Sequence, residues 1–436
     1  MAEGPPTVLA GVRTRVFERV DALSDDLVAL TVDLVRIPTV NPPGDAYTPC
    51  AELVGRYLER LGFTIAYIRA EGTPGDSDRY PRTNIIARWE SGRPGPTIHF
   101  NSHIDVVEAG QGWTKDPWGG EVSDGRVWGR GTCDMKGGLA ASIIAAQAII
   151  AEGVAICGAI EISGTVDEES GGFGGVAFLA KRGYFSRPRV DHVIIPEPLN
   201  PDRVCLGHRG VWWAEIETKG RIAHGSMPFL GVSAIRHMGA VLDAFERDLL
   251  PRLDNRQTAM PVVPPGARAS TLNCNSLHGG QPEGFDGLPS PCVADSCRMV
   301  IDRRFLIEEP LDQVRGEVID ILERLRLERP HFAYSIRDLM TVHPVMTDAH
   351  APVVRALDEE IAAVLGRAST HIASPGTYDQ KHIARIGQLH DCVAYGPGIL
   401  ELAHQPDEWV GIADMVASAK IMAGACLRLA GVASPK

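Results

Sequence analysis

Residues 96–105 read PTIHFNSHID, and residues 129–138 read GRGTCDMKGG. The first run is short and rich in β-branched and aromatic residues, which predicts a strand. His103 and Asp105 close it two positions apart, on one face of an extended chain. The second run sets Asp134 in a glycine-walled turn, just before an apolar helix over about 138–152. Working outward, TIAYIRA (64–70), TNIIARWE (83–90), AICGAIEISGTV (155–166) and DHVIIPEP (191–198) are further apolar strands. Strands that are almost continuously apolar and alternate with helices predict an α/β layer fold around a largely buried sheet. Functional side chains are then expected in the loops beyond the strand ends.

Two helices precede these strands. SDDLVALTVDLVRIPTV (24–40) has Ser24 as a candidate N-cap and an apolar face of Leu27, Leu30, Thr31, Leu34 and Val35. TPCAELVGRYLERLG (48–62) carries Val54, Tyr57, Leu58 and Leu61, with Gly62 at its C-terminal end. From Gly207 the texture changes. Strand, helix, two strands, helix and strand follow over 211–340, the β-α-β-β-α-β order of a ferredoxin-like insert. HDCVAYGPG (390–398) reads as another buried strand of the first domain. The expected division is 1–207, an inserted domain at 208–340, and 341–436.

Composition narrows the function. The 436 residues carry a formal net charge of −12 and no dense Lys/Arg run, so the electrostatic footprint of nucleic-acid or anionic-membrane binding is missing. Small molecules, metal ions or other subunits are the expected partners. Nine cysteines stand singly without a CxxC pair, as free thiols do in a reducing compartment; this argues against a disulfide framework and a thiolate metal cluster. The N-terminal MAEGPPTVLAGVRTRVFERV is too interrupted by charge for a signal peptide. The apolar stretch 139–160 contains Gln147, Glu152 and Gly153, and reads as a buried helix followed by a strand, not a membrane span. A cytoplasmic protein is expected.

His103, Asp105, Asp134, Glu168, Glu169, Glu197 and His404 all fall at predicted strand ends or in the loops that follow. Several carboxylates converging at one sheet edge are costly unless a positive charge neutralises them, and a pair of divalent cations does so economically. Imidazole and carboxylate donors without thiolate suit Zn²⁺, with Co²⁺ or Mn²⁺ as substitutes. Asp134 is the natural bridge between two ions about 3.5–4 Å apart. Asp105 is placed to accept a hydrogen bond from the second nitrogen of His103. Of the adjacent Glu168 and Glu169, one is free to ligate while the other acts as general base.

The set SHIDVV, GRGTCDMKGG, DEE, PEP, GRIAHGSMP and AHQPDEW, spread over about 28–425, resembles the M20 family of dinuclear zinc hydrolases. That family includes deacetylases, desuccinylases, aminoacylases and carboxypeptidases. The resemblance implies a catalytic domain with a mixed central sheet flanked by helices, and a ferredoxin-like lid that also serves as dimer surface. It implies two zinc ions per subunit, one held by His103, Asp134 and Glu197, the other by Asp134, Glu169 and His404. Glu168 becomes the base, and His224 of the lid becomes the oxyanion donor, often in the partner subunit's site. Arg304 matches a substrate-carboxylate clamp, and the segment from Gly376 to Asp379 matches a loop beside the pocket. Pro291, Ile307 and Lys381 depart from the family pattern, the last replacing a common arginine. The activity implied is hydrolysis of an N-acylated amino acid or related amine. The alternatives are a metallo-exopeptidase acting on short peptides and a relative that binds ligand without turnover.

Overall fold

A computed structural model describes residues 5–281, 284, 286–288 and 290–432. The outermost residues of the expected division, 1–4 and 433–436, lie outside the described residues. The chain forms two compact units, one drawn from Met1–Gly207, Thr347–Ile372 and Tyr378–Lys436, the other from His208–Met346 with Ala373–Thr377.

In the first unit the strands line up in the order Thr64–Arg69, Thr83–Glu90, Ala159–Thr165, Thr97–His103, His192–Ile195, Cys392–Ala394, Arg203–His208. Thr97–His103 runs parallel to both of its neighbours, whereas Thr83–Glu90 pairs antiparallel with Ala159–Thr165. The sheet is therefore mixed. Its central strands are buried along their whole length, including the polar His99, Asn101, Glu161 and Ser163.

Gly137–Ala151 packs against Ile412–Ala430 and Ser24–Val35. The stretch Thr132–Ala151 is long and apolar enough to cross a bilayer, yet 83% of its most apolar window is buried inside the protein. A helix apolar on every face is what a helix enclosed by other helices and a sheet requires. Ser24 does not act as the expected N-cap. The helix Pro5–Ala22 ends one residue earlier, and Leu23 occupies the cap position with no side-chain cap. The Leu23 carbonyl accepts the Leu27 N–H at 2.9 Å, the first main-chain bond of the helix.

The second unit is a four-stranded antiparallel sheet in the order Thr271–Gly279, Ser296–Phe305, Gly210–Lys219, Ala333–Val342. Ala234–Ala244 and Leu311–Glu328 supply the two helices, giving the β-α-β-β-α-β chain order. Trp212, Ala214 and Ile216 alternate along one strand and face Met238, Val241, Val318 and Leu322 in the core of this unit.

Candidate metal centre

Strand register brings the first ligands together. His103 ends its strand opposite Thr165 of the neighbouring strand, and the loop after Thr165 carries Glu168 and Glu169. The next strand on the other side, His192–Ile195, leads into Glu197. Asp134 arrives from Thr132–Lys136, immediately before the buried helix. Gly138 lets that helix approach closely, since a Cβ there would stand 2.0 Å from the Pro196 carbonyl oxygen, next to Glu197. His404 is presented at φ +64°, a left-handed conformation that costs a non-glycine residue energy and is found at functional loops.

The donor atoms converge. His103 Nε2 lies 3.1 Å from Asp134 Oδ1 and 4.0 Å from Glu197 Oε2. His404 Nε2 lies 3.4 Å from Asp134 Oδ2 and 3.1 Å from Glu169 Oε2. Each oxygen of Asp134 thus faces a different imidazole. Ligand atoms of His103, Asp134 and Glu169 all lie within 4.8 Å of one another, close enough to hold a metal ion. Two imidazoles and three carboxylates with no thiolate among them form a hard-to-borderline donor set that fits zinc or a similar divalent ion.

The carboxylates around them raise both imidazoles. Hydrogen bonds to Asp134 and Glu169 push His404 up to about 10. His103 also rises well above the usual imidazole value, because Asp134, Glu197 and Asp105 outweigh the opposing effect of burial. Burial acts to raise the Asp134 carboxyl, but its hydrogen bonds from His103 and His404 hold it low. Glu197 and Glu169 are pushed up, chiefly by burial. Such a group of inward carboxylates carries an electrostatic debt that a cation removes.

Asp105 departs from expectation in detail. The His103 ring nitrogen Nδ1 is 2.9 Å from the Asp105 main-chain carbonyl, while the nearest carboxylate oxygen is 3.6 Å away. The carboxylate instead accepts the main-chain N–H groups of Glu168 and Glu169 at 3.2 and 3.1 Å, and the Asn41 amide at 2.9 Å. It holds the glutamate loop as well as standing beside the histidine.

The Glu168 side chain is 12% exposed, and its partial burial pushes the carboxyl up to about 8 despite the opposing pull of Lys381. The Lys381 ammonium sits 2.6 Å from Glu168 Oε1. Asp379 is 1% exposed, and its carboxylate accepts the Asn101 amide at 3.0 Å. Glu408 was not singled out from the sequence, although it lies within AHQPDEW. It is fully buried, pairs with Arg130 at 2.5 Å, and accepts the N–H groups of Gly131, Cys133 and Asp134 at 2.9–3.1 Å. Asn41, Lys381 and Glu408 shape the loops that present the ligands.

Three expected residues belong to the second unit. His224 is exposed, and its Nδ1 lies 2.7 Å from Ser226 Oγ. Arg304 forms a two-point pair with Asp302, at 2.7 and 2.9 Å. The Gly376 N–H donates to Ser374 Oγ at 3.1 Å.

Residues 99–428 match the profile of peptidase family M20/M25/M40. The chain belongs to this family. Membership makes it a metal-dependent hydrolase of amide bonds. It is similar to the succinyl-diaminopimelate desuccinylase of Cereibacter sphaeroides, 30% identical over 276 residues covering 58% of this chain and 69% of that one. It is also similar to the N-formyl-4-amino-5-aminomethyl-2-methylpyrimidine deformylase of Bacillus subtilis, 27% identical over 435 residues covering 93% and 95%. Among solved structures, human carnosine dipeptidase 1 superposes with a TM-score of 0.74 over 96% of this chain and 99% of that one; at 19% identity the likeness is one of fold.

Proposed function

We propose that this family member is a zinc-dependent amidohydrolase that removes the acyl group from an N-acylated amino acid or related amine. The observation that carries the reading is Asp134, whose two oxygens each face a separate imidazole, with the half-buried Glu168 beside the cluster. His103, Asp134 and Glu197 would hold one ion, and Asp134, Glu169 and His404 the other, with cobalt or manganese as substitutes. When bound, such a pair polarises the scissile carbonyl and makes a water molecule easier to deprotonate.

The remaining steps fall to the chain. Glu168 takes a proton from the attacking water and returns it to the leaving nitrogen; burial keeps its basicity near the working pH. Asp105 and Asn41 hold the Glu168–Glu169 loop at the geometry the transfer needs. His224 supplies a donor to the developing oxyanion, and Arg304, with its fork oriented by Asp302, receives a substrate carboxylate near the Gly376 loop. The second unit, 208–340 in the expected division, serves as lid and as the surface on which two chains pair. Nine free cysteines support a cytoplasmic location. Acyl removal is preferred to peptide cleavage because the two sequence relatives described above are a desuccinylase and a deformylase.

The test is release of free amine from N-acetyl, N-formyl and N-succinyl amino acids and from simple dipeptides, with zinc supplied and with a chelated control. Chelator-sensitive turnover of one acyl class is the expected result. Turnover of dipeptides alone would replace this reading with the exopeptidase one. Tight ligand binding without product in the metal-loaded protein would leave a binding protein. Glu168→Gln should abolish turnover and keep the metals bound.

A further inference from the structure

Lys381 lies on the short helix Gln380–Arg385 and is 3% exposed. Its Nζ is 2.6 Å from Glu168 Oε1, and the Glu168 side chain is itself only 12% exposed. The helix is anchored from below by Gln380. That side-chain amide donates to the carbonyls of Leu206 and Cys392 at 3.1 and 2.7 Å and to Thr347 Oγ1 at 2.9 Å, while its oxygen accepts the Tyr378 hydroxyl at 2.7 Å. A second contact ties the same helix to the glutamate loop, His382 Nε2 lying 2.7 Å from the Gly171 carbonyl. The loop that carries Glu168 is therefore held at two points by a helix whose own position is fixed.

We propose that Lys381 is a positioning residue for proton transfer: its ammonium grips one oxygen of Glu168 and leaves the other for the proton. The inference rests on the reading of Glu168 as the proton carrier. A buried ammonium engaged in this way is not available as a clamp for a substrate carboxylate, which is the role its alignment with a family arginine would suggest. Lysine is a point donor that takes a single oxygen, whereas a carboxylate with no partner would be free to rotate. Fixing the rotamer matters because displacement of a reacting group by about 1 Å costs on the order of 10²-fold in rate.

The experiment is a double-mutant cycle on the full chain with Lys381→Met, Glu168→Gln and the double variant, read by kcat, KM, metal content and Tm. Lys381→Met is expected to lower kcat by about 10²-fold, with KM and metal content near wild type. Adding it to Glu168→Gln should cost nothing further in residual rate, and Lys381→Arg, whose fork can engage both oxygens of Glu168, should recover only part of the loss. In chelated protein each single variant should lower Tm, and the double variant should recover part of the loss, because neither buried group is then left without its partner. Lys381→Met with near wild-type kcat, or losses that multiply in the double variant, would overturn the proposal. If Glu168→Gln itself turns over normally, the proton-carrier reading fails, and the Tm cycle alone still decides whether the grip exists. Lys381→Gln replaces the methionine variant should that one not fold, with the same expected loss.

Discussion

Asp105→Asn changes almost no volume and removes one charge from a fully buried position. Oδ2 accepts Asn41 Nδ2 and the Glu169 N–H, whereas Oδ1 accepts the Glu168 N–H. The new amide nitrogen can take either oxygen's place, and the Oδ1 place is the cheaper, since it opposes one donor and not two. The Glu168 N–H then loses a charge-assisted bond worth roughly 1.5–3 kcal/mol and is left unpaired. The two bonds that survive on the other oxygen become neutral and weaker. A total near 3 kcal/mol is about a 10²-fold shift in the equilibrium that keeps Glu168 in place. The effect should fall on Glu168 more than on Glu169, so kcat drops by about 10²-fold while most of the metal stays bound. Tm should fall by several degrees. Steady-state kinetics with metal analysis of the purified variant is the assay. Loss of metal with normal kcat per loaded site, or kcat within twofold of wild type, would refute the reasoning.

Other predictions follow from the same geometry. Chelation should abolish activity, and in the metal-free protein Tm should fall as pH rises from about 6.5 toward 10. His404 is raised in the folded state, so its contribution is whole below the unfolded imidazole value and is lost as pH climbs through about 10. Metal-loaded protein, in which cations replace those protons, should show no such slope by thermal scanning over this range. Gly138→Ala puts a methyl group 2.0 Å from the Pro196 oxygen, so the helix or the Glu197 strand end must move; lower Tm together with weaker zinc affinity by competition titration is expected. Glu161→Gln removes a buried carboxylate that pairs with Arg189 at 2.5 Å, Arg88 at 3.2 Å and His99 at 3.0 Å, a loss of about 3–5 kcal/mol. Burial works to raise that carboxyl, but its partners hold it low, so the wild-type advantage should be present above about pH 4.5 and vanish as pH falls further. Denaturation at two pH values tests this, with kcat near wild type.

The side chains that converge at the cluster stood out in the sequence, whereas those that hold them in place did not. His103, Asp134, Glu169, Glu197 and His404 stand out because metal chemistry restricts the residue types and an α/β sheet delivers them at strand ends. The strands themselves were legible from their β-branched and apolar residues, although His99, Asn101, Glu161 and Ser163 are buried among them. Asp105 was half legible: its neighbour His103 is two residues away, but the amides its carboxylate serves lie 63 and 64 residues along the chain. Ser24 misled because the helix starts at it, with Leu23 in the cap position. Asn41, Lys381 and Glu408 are at most 3% exposed, yet a polar or charged residue is by default assigned to solvent. Burial of such groups is tolerated only where each finds a partner, and those partners are long-range: Glu168 is 213 residues from Lys381, and the amides that Glu408 accepts are 274–277 residues from it. Pairing at that separation leaves no local pattern. It does leave a physical consequence, since removing either member strands a buried charge. In the proposed mechanism the rate depends on the reach and angle of Glu168, and these are set by residues that only the folded chain brings together.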